Sequence, residues 1–160
     1  MHSTRMDLSV KTRARIIGLL NARLADAIDL KLQAKQAHWN VKGPQFIALH
    51  ELFDRLAAEL DGHVDELAER ITALGGIAEG TVQAVAARSK LEAYPLDIGE
   101  GRAHVDALAA ACARFGKAVR KAIDESAKAG DADTSDLFTG ISRAADKALW
   151  LLEAHLQADR

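Results

Sequence analysis

The sequence is poor in the residues that cross-link or interrupt a chain. It has one cysteine, Cys112, and two prolines, Pro44 and Pro95, in 160 residues. A single thiol has no partner within the chain, so no disulfide framework holds the fold. No apolar run reaches the length needed to span a bilayer, and Met1 to Arg5 form no apolar leader segment. The expectation is a cytoplasmic protein that takes no membrane partner. Charge of one sign is also lacking: 21 Lys and Arg stand against 23 Asp and Glu, a formal net charge of −2. A globally basic nucleic-acid binder is therefore not indicated. Internal repeats and alternating strand patterns are absent as well. What is there is 49% hydrophobic and 28% charged, a globular composition. The length predicts a single domain, 1–160, with a short N-terminal arm over about residues 1–8.

With little to break them, the apolar positions fall at helical spacing. From Leu8 to Lys42 only Gly18 interrupts, and Ile17, Leu20, Leu24 and Ile28 recur at threes and fours until Gly43-Pro44 stops the run. Phe46, Leu49, Phe53, Leu56, Leu60, Val64, Leu67, Ile71 and Leu74 then make one continuous stripe, ended by Gly75-Gly76. That helix would be roughly 45 Å long. A punctuated stretch follows, with Gly80, Pro95, Gly99 and Gly101 and one short helical piece around Val82 to Arg88. A third long helix is predicted from about Arg102 to Ala129, and a fourth carries Leu137, Ile141, Ala144, Ala148 and Leu151. Two tight turns and one long middle connection predict an all-α, ferritin-like four-helix bundle whose long crossover contains a short helix.

Beside the apolar stripe of the second helix lies a polar one. With His50 at zero, Asp61, Asp54, Asp65 and Glu69 fall between about +20° and +100°, and the apolar positions between about −120° and −40°. Solvation alone explains such a face. Imidazole and carboxylate are also the ligand set of Fe(II), Zn or Mn. His38 and His50 stand six residues on either side of Pro44, so an antiparallel hairpin brings them to one height. His50 and Asp54 lie about 22 Å along the helix from Asp65 and Glu69, too far for one coordination sphere. Two copies crossing antiparallel near Glu59 and Leu60 would unite the halves across a two-fold axis. The Glu-x-x-His pairs of a di-iron site inside one bundle are missing, since Glu153 and His155 are too close and Glu59 meets His63 only at four.

The segments Lys35-Gln-Ala-His-Trp-Asn-Val-Lys-Gly-Pro-Gln-Phe46, His50-Glu-Leu-Phe-Asp54 and Asp65-Glu-Leu-Ala-Glu69-Arg-Ile-Thr-Ala-Leu-Gly-Gly76 resemble the Dps family, the mini-ferritins or DNA-binding proteins from starved cells. The similarity continues through Tyr94-Pro-Leu-Asp-Ile and Asp146-Lys-Ala-Leu-Trp150. The resemblance implies a homo-dodecameric shell with ferroxidase centres at its two-fold interfaces. His38, His50 and Asp54 match the ligands of one subunit, and Asp65 and Glu69 those of its partner.

It further implies oxidation of Fe(II) to Fe(III), with hydrogen peroxide favoured over dioxygen, storage of ferric mineral, and protection of DNA from oxidative damage. Asp131, Asp133 and Asp136 lie where such shells have acidic pores, with helix capping and solvation as the competing explanation. Trp39, beside a ligand, is either a quencher of stray oxidising equivalents or an interface residue. A DNA-compacting shell is the alternative function, and zinc or manganese binding without redox turnover a third. Many members bind DNA through a Lys-rich tail. Here the basic residues near the start are Arg5, Lys11, Arg13 and Arg15, and Gln157-Ala-Asp-Arg160 supplies no basic tail. Twelve arms would sum weak phosphate contacts with steep salt dependence.

Overall fold

The computed structural model describes residues 1–157; residues 158–160, on which part of the tail reading fell, lie outside it. The elements are α1 (Val10–Asn40), α2 (Phe46–Ala73), α3 (Val82–Arg88), α4 (Gly101–Lys128) and α5 (Ala132–Glu153). No strand occurs among the described residues, only an isolated bridge between Lys42 and Glu100. The predicted elements are recovered with shifts of a residue or two, except that α5 begins five residues before the first apolar position of its stripe. α1 starts where the Ser9 hydroxyl accepts from the Thr12 N–H at 3.1 Å. It stops before Gly43, whose φ of 111° favours glycine. α1 packs along α2 and α4 along α5, giving two antiparallel hairpins.

One core runs between the four long helices, with Phe53, Phe115 and Phe138 fully buried. The expected stripes need small corrections. Ile16 rather than Ile17 is fully buried in α1, and Ile28, Val64, Leu137 and Leu151 are only half-buried. Phe46, read as part of the α2 stripe, is exposed and lies against His50 with ring centroids 5.1 Å apart. It sits on the first turn of α2, where no facing helix covers it.

The crossover has neither strand nor long helix to satisfy its backbone, so α1 supplies side chains instead. Asn21 donates to the Ile77 carbonyl at 3.0 Å and accepts from the Glu79 N–H at 2.9 Å. Asp26 accepts from the Lys90 N–H at 2.8 Å, and Gln33 donates to the Glu92 carbonyl at 3.0 Å. All three side chains are buried. The N-terminal arm is docked as well: the His2 N–H donates to the Gly75 carbonyl at 2.7 Å. Arg13, counted above among the basic residues near the start, is buried and donates to the Leu74 carbonyl at 2.9 Å. It caps α2 and is withdrawn from any phosphate.

Candidate metal centre

The tight turn after α1 sets His38 beside His50. Their rings stack with centroids 3.7 Å apart and planes 23° apart. His38 Nδ1 lies 2.8 Å from the His50 carbonyl oxygen, and His50 Nδ1 lies 2.8 Å from the His38 carbonyl oxygen. A carbonyl only accepts, so each Nδ1 carries a proton and donates it. In the neutral rings the lone pair then sits on Nε2, the tautomer that a metal-ligating histidine adopts. The His38 carbonyl is free for this role because it lies in the last turn of α1, and the Lys42 N–H is given to Gly99 at 2.8 Å instead.

Asp54, one turn along α2 from His50, stands next to both rings. Its carboxyl is held below the ordinary range first by a hydrogen bond from Lys35, with the two histidines acting in the same direction. Lys35 Nζ lies 2.7 Å from Asp54 Oδ1 and 5.6 Å from the centroid of the Trp39 ring. Lys31 makes the corresponding ion pair with Asp61. Half of the carboxylate stripe is therefore answered by lysines on α1. Sequence reasoning missed these lysines, although Lys31 and Lys35 lie seven and three residues before His38 on a common helical face.

Asp65 and Glu69 are exposed further down α2. Among the described residues neither carboxylate has a hydrogen-bond or ion-pair partner. No three His, Cys, Asp or Glu side chains among the described residues converge on a metal position within one chain. The chain thus presents two separate partial donor sets on one helix face: two imidazole nitrogens with one carboxylate, and two carboxylates. The donor types suit iron, and neither set is sufficient alone.

The three aspartates at the start of α5 divide. Asp131 is buried and caps the helix: its carboxylate accepts from the Thr134 N–H at 3.0 Å, the Thr134 hydroxyl at 2.6 Å and Arg70 Nη2 at 2.8 Å. Asp133 and Asp136 are exposed, with Asp133 4.0 Å from Arg70. Trp39 is 65% exposed. His104, to which sequence reasoning assigned nothing, is buried and bonded to Tyr94 at 2.7 Å. Its spacing of four from Leu108 on the inward face of α4 was the available signal.

A family profile described as the ferritin-like domain matches residues 17–160. The "DNA protection during starvation protein" of Agrobacterium fabrum is 52% identical over 156 residues, covering 98% of this chain and 96% of that protein. The protein of the same name from Mycolicibacterium smegmatis is 33% identical, covering 94% of this chain and 82% of its own length. Among solved structures, DpsA14 from Streptomyces coelicolor superposes with a TM-score of 0.91 at 38% identity, over 97% of this chain and 92% of that one. Mycobacterium smegmatis Dps superposes with a TM-score of 0.93 at 32% identity, over 99% of this chain and 96% of that one. With the fold, the profile and these relatives in agreement, the chain belongs to the Dps family of ferritin-like proteins.

Proposed function

We propose that this protein oxidises Fe(II) and stores it as ferric mineral inside a shell of its own copies, at sites built across two-fold interfaces. The observation that carries the reading is the stacked His38–His50 pair, with both Nδ1 protons committed to backbone carbonyls and both Nε2 atoms left as donors beside Asp54. In an antiparallel pairing about Glu59 and Leu60, the partner's Asp65 and the partner's Glu69 come to face that half. Those two carboxylates, unpartnered in the single chain, are then the missing ligands.

Iron is substrate and cargo here. The imidazoles hold Fe(II), and the carboxylates offset the added charge as the metal becomes Fe(III). Two Fe(II) ions give up one electron each, and hydrogen peroxide takes both, with two protons, to form two waters. Pairing the electrons avoids the one-electron step that releases hydroxyl radical, and in this way the protein protects DNA. Dioxygen serves as the slower oxidant. Hydrolysis of the ferric product yields the stored mineral. Iron enters past Asp133 and Asp136, since Asp131 is already occupied as a cap. The dodecamer, the cytoplasmic location and a quenching role for Trp39 belong to this same proposal.

The test is anaerobic loading with Fe(II), stepwise addition of peroxide, and ferric absorbance followed to its endpoint. Two Fe(II) consumed per peroxide, lost in the Asp65→Ala/Glu69→Ala double variant, supports the reading. Oxidation no faster than in buffer refutes it. A DNA-compacting shell is the second reading, favoured by the names of the curated relatives. The docking of His2 on Gly75 and the burial of Arg13 weigh against a basic N-terminal arm as its means. A gel shift at low and moderate salt separates the two.

A further inference from the structure

Behind the surface that carries His38, His50 and Asp54 lies a polar pair, a buried histidine and a half-buried tyrosine, that the proposed chemistry does not use. His104, on the first turn of α4, is 1% exposed. The hydroxyl of Tyr94, near the end of the crossover, lies 2.7 Å from His104 Nδ1. The two rings are close to parallel, 16° between planes. Burial raises the Tyr94 pKa, so the phenol is neutral and able to donate its proton to Nδ1. Burial disfavours the protonated His104 imidazole, and the nearby Asn40 carbonyl acts in the opposite, smaller sense. Among the described residues His104 Nε2 has no partner at hydrogen-bond geometry. Asn40 is the last residue of α1, two beyond His38.

The same turn of α4 presses on α2. A Cβ added at Gly101 would come within 2.5 Å of Leu49 Cδ1. The ring centroids of His104 and Phe53 are 6.4 Å apart. Leu49 and Phe53 are fully buried and immediately precede His50 and Asp54. One step round the helix therefore converts a residue seated on α4 into a donor at the surface. The Lys42 N–H, bonded to the Gly99 carbonyl at 2.8 Å, ties the end of α1 to the same place.

We infer that His104 and Tyr94 are positioning residues for the iron site: bonded to each other, with His104 set against Phe53 and close to Asn40, they fix the spacing of His38, His50 and Asp54. Neither touches the metal. The inference rests on the iron reading for what that spacing serves, but the spacing itself is a property of the metal-free protein. Ligand sets tolerate displacements of only about 0.5 Å, so loosening this support weakens binding before it stops chemistry.

Three variants test this in the assembled protein. Tyr94→Phe removes one oxygen and orphans Nδ1. His104→Leu removes the polar ring. His104→Asn restores an acceptor where Nδ1 stood. Each is titrated with Co(II), followed by its visible absorption, and each is assayed with Fe(II) and peroxide for half-saturation and for rate at saturation. Trp39 emission is read in the metal-free protein, in a Trp150→Phe background. Tyr94→Phe and His104→Leu are expected to raise half-saturating Co(II) and Fe(II) about three- to tenfold, as expected when a buried polar atom loses its partner, and to shift Trp39 emission. His104→Asn is expected to stay within about twofold of the parent on the same ground.

A lowered melting temperature with unchanged half-saturation and unchanged Trp39 emission in Tyr94→Phe and His104→Leu would overturn the inference. So would a His104→Asn protein as weak as His104→Leu. If His104→Leu does not fold, Tyr94→Phe alone decides. If the parent neither binds Co(II) nor oxidises Fe(II), the iron reading fails, while Trp39 emission still reports whether the pair sets the turn.

Discussion

Replacing Asp131 separates a structural role from a role in iron entry. Asp131→Ala deletes the acceptor of the Thr134 N–H, the Thr134 hydroxyl and Arg70 Nη2. Loss of an N-cap side chain costs about 1 kcal/mol. Removing one partner of a fully buried ion pair costs about 3–5 kcal/mol. Arg70 is 16% exposed, keeps Thr134 Oγ1 at 2.9 Å, and has Asp133 at 4.0 Å. About 1–2 kcal/mol is therefore the fitting share for the pair. The sum is about 2–3 kcal/mol, and at roughly 2–4 °C per kcal/mol the melting temperature falls by about 4–12 °C. Asp131→Asn keeps an acceptor for the Thr134 N–H and should lose about half as much. Calorimetry at matched protein concentration measures both, and iron uptake is assayed well below the melting range, where both variants should match the parent. An Asp131→Ala protein that melts with the parent, or an Asp131→Asn protein that takes up iron slowly with its melting unchanged, would refute the capping argument.

Lys35→Met should lower the Fe(II) concentration for half-saturation, because the ammonium at Asp54 Oδ1 must be displaced before a metal binds there; an unchanged value in anaerobic titration would sink this. Burial holds the His104 imidazole below its ordinary value of 6.5, so the unfolded chain takes up that proton first. The stability contributed by neutral His104 is full above the unfolded pKa and is lost as pH falls below it. Melting temperature should therefore drop more steeply below about pH 6.5 in the parent than in His104→Asn, and parallel curves would contradict this. Cys112 is 2% exposed and its thiol is pushed up to about 12 by burial. Mass spectrometry after iodoacetamide at mildly alkaline pH should find it unmodified unless the protein is first unfolded.

The sequence by itself determined the helices and where they stop. Periods of three and four in α2, the Gly43-Pro44 and Gly75-Gly76 breaks and the short helix at Val82–Arg88 are local properties, set by backbone sterics and one-dimensional spacing. The polar face of α2 and the matched height of His38 and His50 followed from the same geometry. Partners were not legible. That each imidazole donates to the other's carbonyl, that Lys35 covers Asp54, that Arg13 caps α2 and that Arg70 joins Asp131 all depend on which groups other elements bring within about 3 Å. The same holds for the partners of Asn21 and His104, and for Asp26 and Gln33, which the α1 pattern would leave at the surface and the fold buries. A chain pattern records which side of a helix is apolar. Only the packed structure decides which polar groups lose water and must be answered by one another, because that follows from contacts between residues far apart in the chain.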